Sequence, residues 1–271
     1  MRFMLAACAV ILAAVVAGCG GGNAVTPPVP VVVVGSYLGD AFMTINGTTE
    51  LVANLGLVVR ADRTVEGAGF FSAPVVEHDF FFTGVVDASN NLTASGTMVS
   101  GDGTQDAGSF TLTGAFGNFP DGSNVKGEFT AQGIGSGTWR GFSYAIYPLG
   151  CYMGTYSGDR QGTIAVMNFR VDDAVVMLKE EGQAQTDYFA APNLLIPPVQ
   201  SGGDYSLLAD DSWYGTGMVV AGDVSATTAG GDWQQTQAPS SLVGTWSASK
   251  PESRAAGRGL PAGPLRVYRA R

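Results

Sequence analysis

The chain has 271 residues, 39 of them glycine, and only 14% are charged; 14 Lys and Arg face 23 Asp and Glu, a formal net charge of −9. Between residues 20 and 249 the imbalance sharpens to seven basic against 22 acidic residues, net −15. A body this acidic lacks the basic footprint that nucleic acid requires and does not adhere to anionic lipid by charge.

The first element is residues 1–18, an apolar run from Phe3 to Gly18 behind a single basic residue, Arg2. It is short for a membrane span, which takes about 20 apolar residues, and it has the layout of a secretory signal peptide. It ends on Val16-Ala17-Gly18-Cys19. An aliphatic residue, two small residues and a cysteine resemble the lipobox of bacterial lipoproteins. The resemblance implies that the peptide before Cys19 is removed and that Cys19 carries acyl chains, palmitate among them, which anchor the protein in a membrane. One chain holds a protein only marginally, whereas two or three hold it stably. Gly20, rather than Asp, follows the cysteine. In that family this implies the outer membrane, with the protein facing the periplasm or the cell surface.

Residues 19–34 are expected to be the lipidated cysteine and a tether. The stretch GGGNAVTPPVP at 20–30 joins flexible glycines to a Thr-Pro-Pro-Val-Pro run that prefers an extended backbone. Fully extended, it reaches roughly 35 Å at about 3.3 Å per residue.

From 35 to 148 the pattern is that of short strands. In AGSFTLTGAF, Phe110, Leu112 and Phe116 share one face while Ser109, Thr111 and Thr113 share the other. In NVKGEFTAQ, Val125, Gly127, Phe129 and Ala131 alternate with Lys126, Glu128, Thr130 and Gln132. This is period two, with one dry face and one wet face. Turn signals separate the runs at Asn46-Gly47, Asp62-Arg63, Ser89 to Asn91, Gly101 to Gly103 and Pro120 to Gly122. The expectation is an all-β antiparallel meander of about eight strands curling around its own core. Glycines recur inside the runs, at Gly39, Gly69, Gly84, Gly96, Gly114 and Gly127, which points to tight coiling or close packing. A barrel-like closure fits best, with a β-sandwich as the alternative.

Residues 149–248 echo this first half. GSYLG at 35–39 returns as GCYMG at 150–154, and GSGTWRG at 135–141 returns as LVGTWSA at 242–248. Two motifs recurring in the same order predict two similar halves in tandem. The second half departs at AAPNLLIPPVQSGG, 190–203, which reads as a long loop. Residues 249–271 hold six basic residues against one acidic, with Gly and Pro throughout, and are expected to be a disordered basic tail.

Chemistry-bearing patterns are sparse. No P-loop and no Gly-x-Ser-x-Gly elbow is present, and the glycines at 133–137 lie between strands, where they read as a turn. His78 is the single histidine, and after loss of Cys8 and lipidation of Cys19 the mature body keeps Cys151 alone, expected as a small buried residue opening a strand. No common zinc ligand set can be assembled. Glu77-His78-Asp79 reads as a polar strand end. Asp87-x-Ser89-x-Asn91 and Asp102-x-Thr104-x-Asp106 share spacing with the opening of a calcium loop but lack its later Glu, and serve hairpin turns equally well. The pairs Asp172-Asp173 and Asp210-Asp211 point to opposite faces of a strand. No catalytic residue, metal or cofactor is expected. Trp213, Tyr214 and Trp233 are assigned to loops as binding aromatics, because such side chains give large contact area at small entropic cost.

One further resemblance concerns Glu66-Gly67 and GFFSAP at 69–74. They are similar to the Glu-Gly-Gly-Phe-x-Gly-Pro element in the barrel lobes of transferrin-binding-protein-B-like surface lipoproteins. The match departs at Ser72-Ala73 and has no second copy, so no function is carried over from it. The sequence therefore leads to a lipid-anchored, non-catalytic binding or structural module of the cell envelope, whose partners are the membrane through Cys19 and an envelope protein or small ligand. The alternative is an envelope hydrolase using carboxylates dispersed in sequence.

Overall fold

The computed structural model describes residues 31, 33–100, 106–144, 149–170, 173–182, 186–192, 195–196, 205–210, 217–236 and 241–252. All of these fall in one unit, Val31–Arg271. The expected signal segment, the tether up to residue 30 and the tail beyond Glu252 lie outside the described residues.

The first eight strands are β1 (Gly35–Ile45), β2 (Thr48–Val59), β3 (Thr64–Phe71), β4 (His78–Val86), β5 (Asn91–Ser100), β6 (Asp106–Phe116), β7 (Val125–Ala131) and β8 (Gly135–Ser143). Each pairs antiparallel with the next, and β8 returns to β1 with Tyr37 opposite Ser143, so the meander closes into a barrel. Closure settles the barrel against the sandwich. Eight strands leave an interior just wide enough for side chains to fill. Here Phe71, Phe80, Phe110 and Phe129 fill it, with the Phe80 and Phe110 rings stacked at 4.2 Å and Phe71 tilted against Phe129 at 5.6 Å. The period-two faces read from 107–116 and 124–132 are those of β6 and β7: Phe110, Leu112, Phe116, Val125 and Phe129 are buried while Thr111, Thr113, Glu128 and Thr130 are exposed.

Nine more strands follow: β9 (Gly150–Gly158), β10 (Gly162–Arg170), β11 (Asp173–Glu180), β12 (Thr186–Pro192), β13 (Leu195–Ile196), β14 (Tyr205–Asp210), β15 (Met218–Val224), β16 (Thr228–Gln235) and β17 (Leu242–Ser249). They form a second antiparallel sheet in the order β12-β11-β10-β9-β17-β16-β15-β14-β13. It curls around its own core of Tyr152, Tyr156, Ile164, Val166, Trp233 and Trp246.

Two expectations about loops are corrected. The glycines at 133–137 are not one turn: the turn is 132–134, and Gly135 to Gly137 already belong to β8, because an extended backbone accepts glycine wherever no side chain is needed. Within 190–203, residues 190–192 end β12 and Leu195–Ile196 form β13, which pairs with β14. The remainder of that stretch lies outside the described residues.

The two halves repeat each other in a row that crosses four strands. In the barrel, Gly114, Gly127, Trp139 and Ala41 stand opposite one another in a row across β6, β7, β8 and β1. In the second sheet Gly222, Gly231, Trp246 and Tyr156 form the same row across β15, β16, β17 and β9. Trp139 Nε1 donates to the carbonyl of Thr113 at 2.7 Å, and Trp246 Nε1 donates to that of Ala221 at 3.0 Å. Each indole thus bonds to the residue before the glycine it covers, two strands away. The ring needs that space, since a Cβ on Gly114 would lie 3.1 Å from Trp139 Cζ2 and one on Gly222 2.8 Å from Trp246 Cζ2.

The halves meet outer face to outer face. Leu38, Val58, Ala68, Phe70, Phe81 and Phe142 of the barrel share one apolar cluster with the outward residues of β9 to β11, among them Cys151, Met153, Ala165, Met167 and Met177. Each such buried Phe or Met contributes about 1.5–3 kcal/mol relative to exposure. At the centre of the contact Ser36 hydrogen-bonds to Cys151, its own counterpart in the echoed motif. Equivalent residues of the two halves thus touch at the joint.

Candidate functional site

Of the residues expected to bind, Cys19, Trp213 and Tyr214 lie outside the described residues. Trp233 does not sit on a loop. It belongs to β16, is 1% exposed, donates from Nε1 to the Ser157 carbonyl at 2.9 Å and stands edge-on to Tyr156 at 5.8 Å. Gly230 and Gly231 hide the period-two pattern of β16 from composition, which is why TAGGDWQQ reads as loop. Trp233 is a wall of the second core.

Cys151 is buried in β9, and burial pushes its thiol far above the ordinary range, so it is held as a thiol rather than a nucleophilic thiolate. The Asp87 carboxylate accepts the Asn91 backbone N–H at 2.8 Å within the β4–β5 hairpin, as turn chemistry requires. In Glu77-His78-Asp79 the strand begins at His78, and Asp79 is 2% exposed on the outer barrel face. Burial, and then the Glu77 charge, raise its pKa well above the usual carboxylate range.

Strand register locates the site. Aligning β1 with β9, β2 with β10 and β3 with β11 through their registers makes Arg60 the counterpart of Phe169, Glu66 of Val175, and Phe70 of Lys179. The counterparts differ in character on two flanks of the contact. On one flank, Phe70 of the barrel and Phe169 and Val175 of the second sheet belong to the apolar cluster and seal it. On the other, the same three places hold Lys179, Arg60 and Glu66. Three apolar residues thus have three charged counterparts, and a charged side chain does not seal a joint from which water must be excluded.

That second flank is an open groove. Its inner part, about 210 Å³, lies between Glu66, Phe81, Thr83, Ser95 and Thr97 of the barrel and Met153, Thr163 and Lys179 of the second sheet. It adjoins, at Thr163 and Lys179, an outer cleft of about 700 Å³ that runs past Thr155 and Ser157 to Gln161, Glu180 and Glu181. Strand pairing sets the wall: Thr155, Thr163 and Lys179 stand opposite one another on β9, β10 and β11, pointing outward.

The charges in the groove are unequal in their commitments. Glu66 accepts from Arg60 Nε at 3.1 Å and pairs with its guanidinium. Glu180 lies 3.8 Å from Arg160, and Glu181 accepts from Gln161 Nε2 at 2.7 Å. Lys179 Nζ donates to the Thr97 hydroxyl at 3.3 Å across the two halves, and among the described residues no carboxylate pairs with it. Among the described residues the groove therefore offers one cation that no carboxylate pairs with, set among hydroxyls, while Glu66, Glu180 and Glu181 are engaged. Among the described residues no group of three or more His, Cys, Asp or Glu gathers to hold a metal.

Sequence reasoning missed Arg60, Glu66 and Lys179 as a set. A signal existed, since Lys179 interrupts the apolar run of DAVVMLKE, but its meaning appears only when the halves are aligned by strand register. No family model, curated protein or solved structure matches the chain.

Proposed function

We propose that this protein is a lipoprotein anchored in the outer membrane through Cys19, a non-catalytic binding module of the cell envelope whose binding site is the groove between its two halves. The observation that carries the reading is the groove lined by Glu66 and Lys179, charged residues whose register counterparts Val175 and Phe70 belong to the buried apolar cluster. Among the described residues the barrel interior is occupied by Phe71, Phe80, Phe110 and Phe129, which supports a site on the outside rather than in a lumen. Binding is favoured over turnover because the groove carboxylates are engaged by Arg60, Arg160 and Gln161, whereas acid-base work needs a carboxyl poised for proton transfer.

The test is capture from envelope extract by the lipidated full chain, compared with the same chain carrying Lys179→Glu. Material retained by the wild type and lost by the variant is the expected result. Equal retention by both, or hydrolysis of an envelope polymer that disappears when Glu180 or Glu181 becomes Gln, would overturn the reading.

A further inference from the structure

We infer that the groove takes a small hydroxyl-rich ligand bearing a single anionic group, an acidic sugar; this rests on the proposed binding role of the groove and names its ligand class. The wall supplies the first half of the argument. Thr83, Ser95, Thr97 and Thr163 place four hydroxyls around the inner cleft, and Thr155 and Ser157 continue them along the outer one. A hydroxyl both donates and accepts and turns to suit its partner, so such a wall matches a ligand that is itself dense in hydroxyls. Phe81, Phe82 and Met153 supply the apolar part of the inner cleft, against which the C–H face of a sugar ring can lie while the hydroxyls fix its orientation.

Charge supplies the second half. The cleft is roofed by Lys179, whose ammonium meets only the Thr97 hydroxyl among the described residues, while Glu66 beside it is neutralised by Arg60. An ammonium is a compact, strongly hydrated point charge, and a carboxylate or phosphate oxygen reaching it gains a charge-assisted hydrogen bond. One cation admits one anionic group. A polyanion is disfavoured by the surrounding body, which holds 22 acidic residues against seven basic ones between 20 and 249. The register comparison points the same way. Where Phe70 stands on the sealed flank Lys179 stands on the open one, so the single exchange that opens the joint also supplies the charge.

The experiment is calorimetric titration of the lipidated full chain in detergent micelles with four probes: glucuronic acid, glucose 6-phosphate, neutral maltotriose and polygalacturonate. Saturable binding of at least one of the two acidic monosaccharides is expected, with the carboxylate and phosphate arms distinguishing a sugar acid from a sugar phosphate. Lys179→Gln should weaken it at least tenfold, Lys179→Arg should retain most of it, and Glu128→Gln on exposed β7, away from the groove, should leave it unchanged. The double variant Lys179→Phe with Glu66→Val, which rebuilds two places of the sealed flank, should abolish binding while raising the unfolding midpoint. Absence of saturable binding by either acidic sugar, maltotriose binding as tightly as they do, tighter binding of polygalacturonate, or full affinity in Lys179→Gln would each overturn the inference. If envelope capture still depends on Lys179 while the sugars fail, the ligand class is wrong and the groove stands as the site; if neither depends on Lys179, both fall.

Discussion

The Ser36 hydroxyl donates to the Cys151 carbonyl at 2.9 Å and accepts the Cys151 N–H at 2.6 Å, so one side chain satisfies both backbone groups of its own counterpart in the other half. Both residues are buried, Ser36 at 1% and Cys151 at 0% exposure. Removing the hydroxyl strands a buried N–H and a buried carbonyl together. Ser36→Ala should therefore lower stability by about 1–3 kcal/mol, the range for leaving buried backbone groups unpaired. Denaturant unfolding of the variant measures this, and a midpoint equal to wild type would mean that water reaches the joint.

The glycine rows make a paired prediction. A Cβ on Gly127 would lie 1.8 Å from the Thr113 carbonyl oxygen, and one on Gly231 would lie 2.1 Å from that of Ala221. Both obstacles are backbone atoms of the neighbouring strand and cannot rotate away. Gly127→Ala and Gly231→Ala should each cost about 3 kcal/mol or more, at the upper end of overpacking effects, and by similar amounts because the rows are equivalent. Gly114→Ala, whose nearest atoms stand at 3.0 to 3.3 Å, should cost less. Thermal unfolding of the three variants checks the order Gly127 and Gly231 above Gly114.

Asp40 makes stability depend on pH. Burial pushes its carboxyl up to about 6 from 3.8, against the opposing pull of Arg140 at 3.6 Å and the Asn54 amide at 3.2 Å. At low pH the group is neutral in both folded and unfolded chains and costs nothing. Between about pH 4 and 6 the unfolded chain gives up a proton that the native state keeps, so stability falls as pH rises, by about 3 kcal/mol once both are ionised. Asp79, whose burial also raises its carboxyl well above the usual range, adds a loss of the same sign as pH rises. Asp40→Asn should flatten urea-unfolding stability between pH 4 and 6. A variant with the wild-type slope across that window would assign the dependence elsewhere.

The proposed lipid handle is tested at Cys19. Cys19→Ala should leave a product without acyl chains that moves from the membrane pellet to the aqueous phase on detergent partitioning, because the acidic body has no charge-based affinity for anionic lipid. Both forms remaining in the pellet would sink the lipobox reading.

The barrel was legible in the sequence because β6 and β7 alternate cleanly and their turns carry Asn, Asp, Gly and Pro. The tandem halves were legible from two echoed motifs, and Tyr37 and Tyr152, Trp139 and Trp246 occupy matching places in the two cores. The site was not. Arg60, Glu66 and Lys179 are scattered over 120 positions, and only strand register and the outer-face contact bring them into relation. Trp233 misled for the opposite reason: its strand is rich in glycine and glutamine, residues that usually signal a loop, while the tertiary fold gives it a core to fill.

The outer-face joint also bears on how the molecule is made. Ribosomes deliver the barrel first, and until β9 to β11 follow it carries a bare greasy side of Leu38, Val58, Phe70, Phe81 and Phe142. Such a side invites a neighbouring nascent chain. The covering half is joined to it through residues 144 to 149, and a short connection of this kind keeps the correct partner at an effective concentration on the order of millimolar. Being written as one chain rather than as two separate copies therefore protects the protein from its own stickiest surface during biosynthesis.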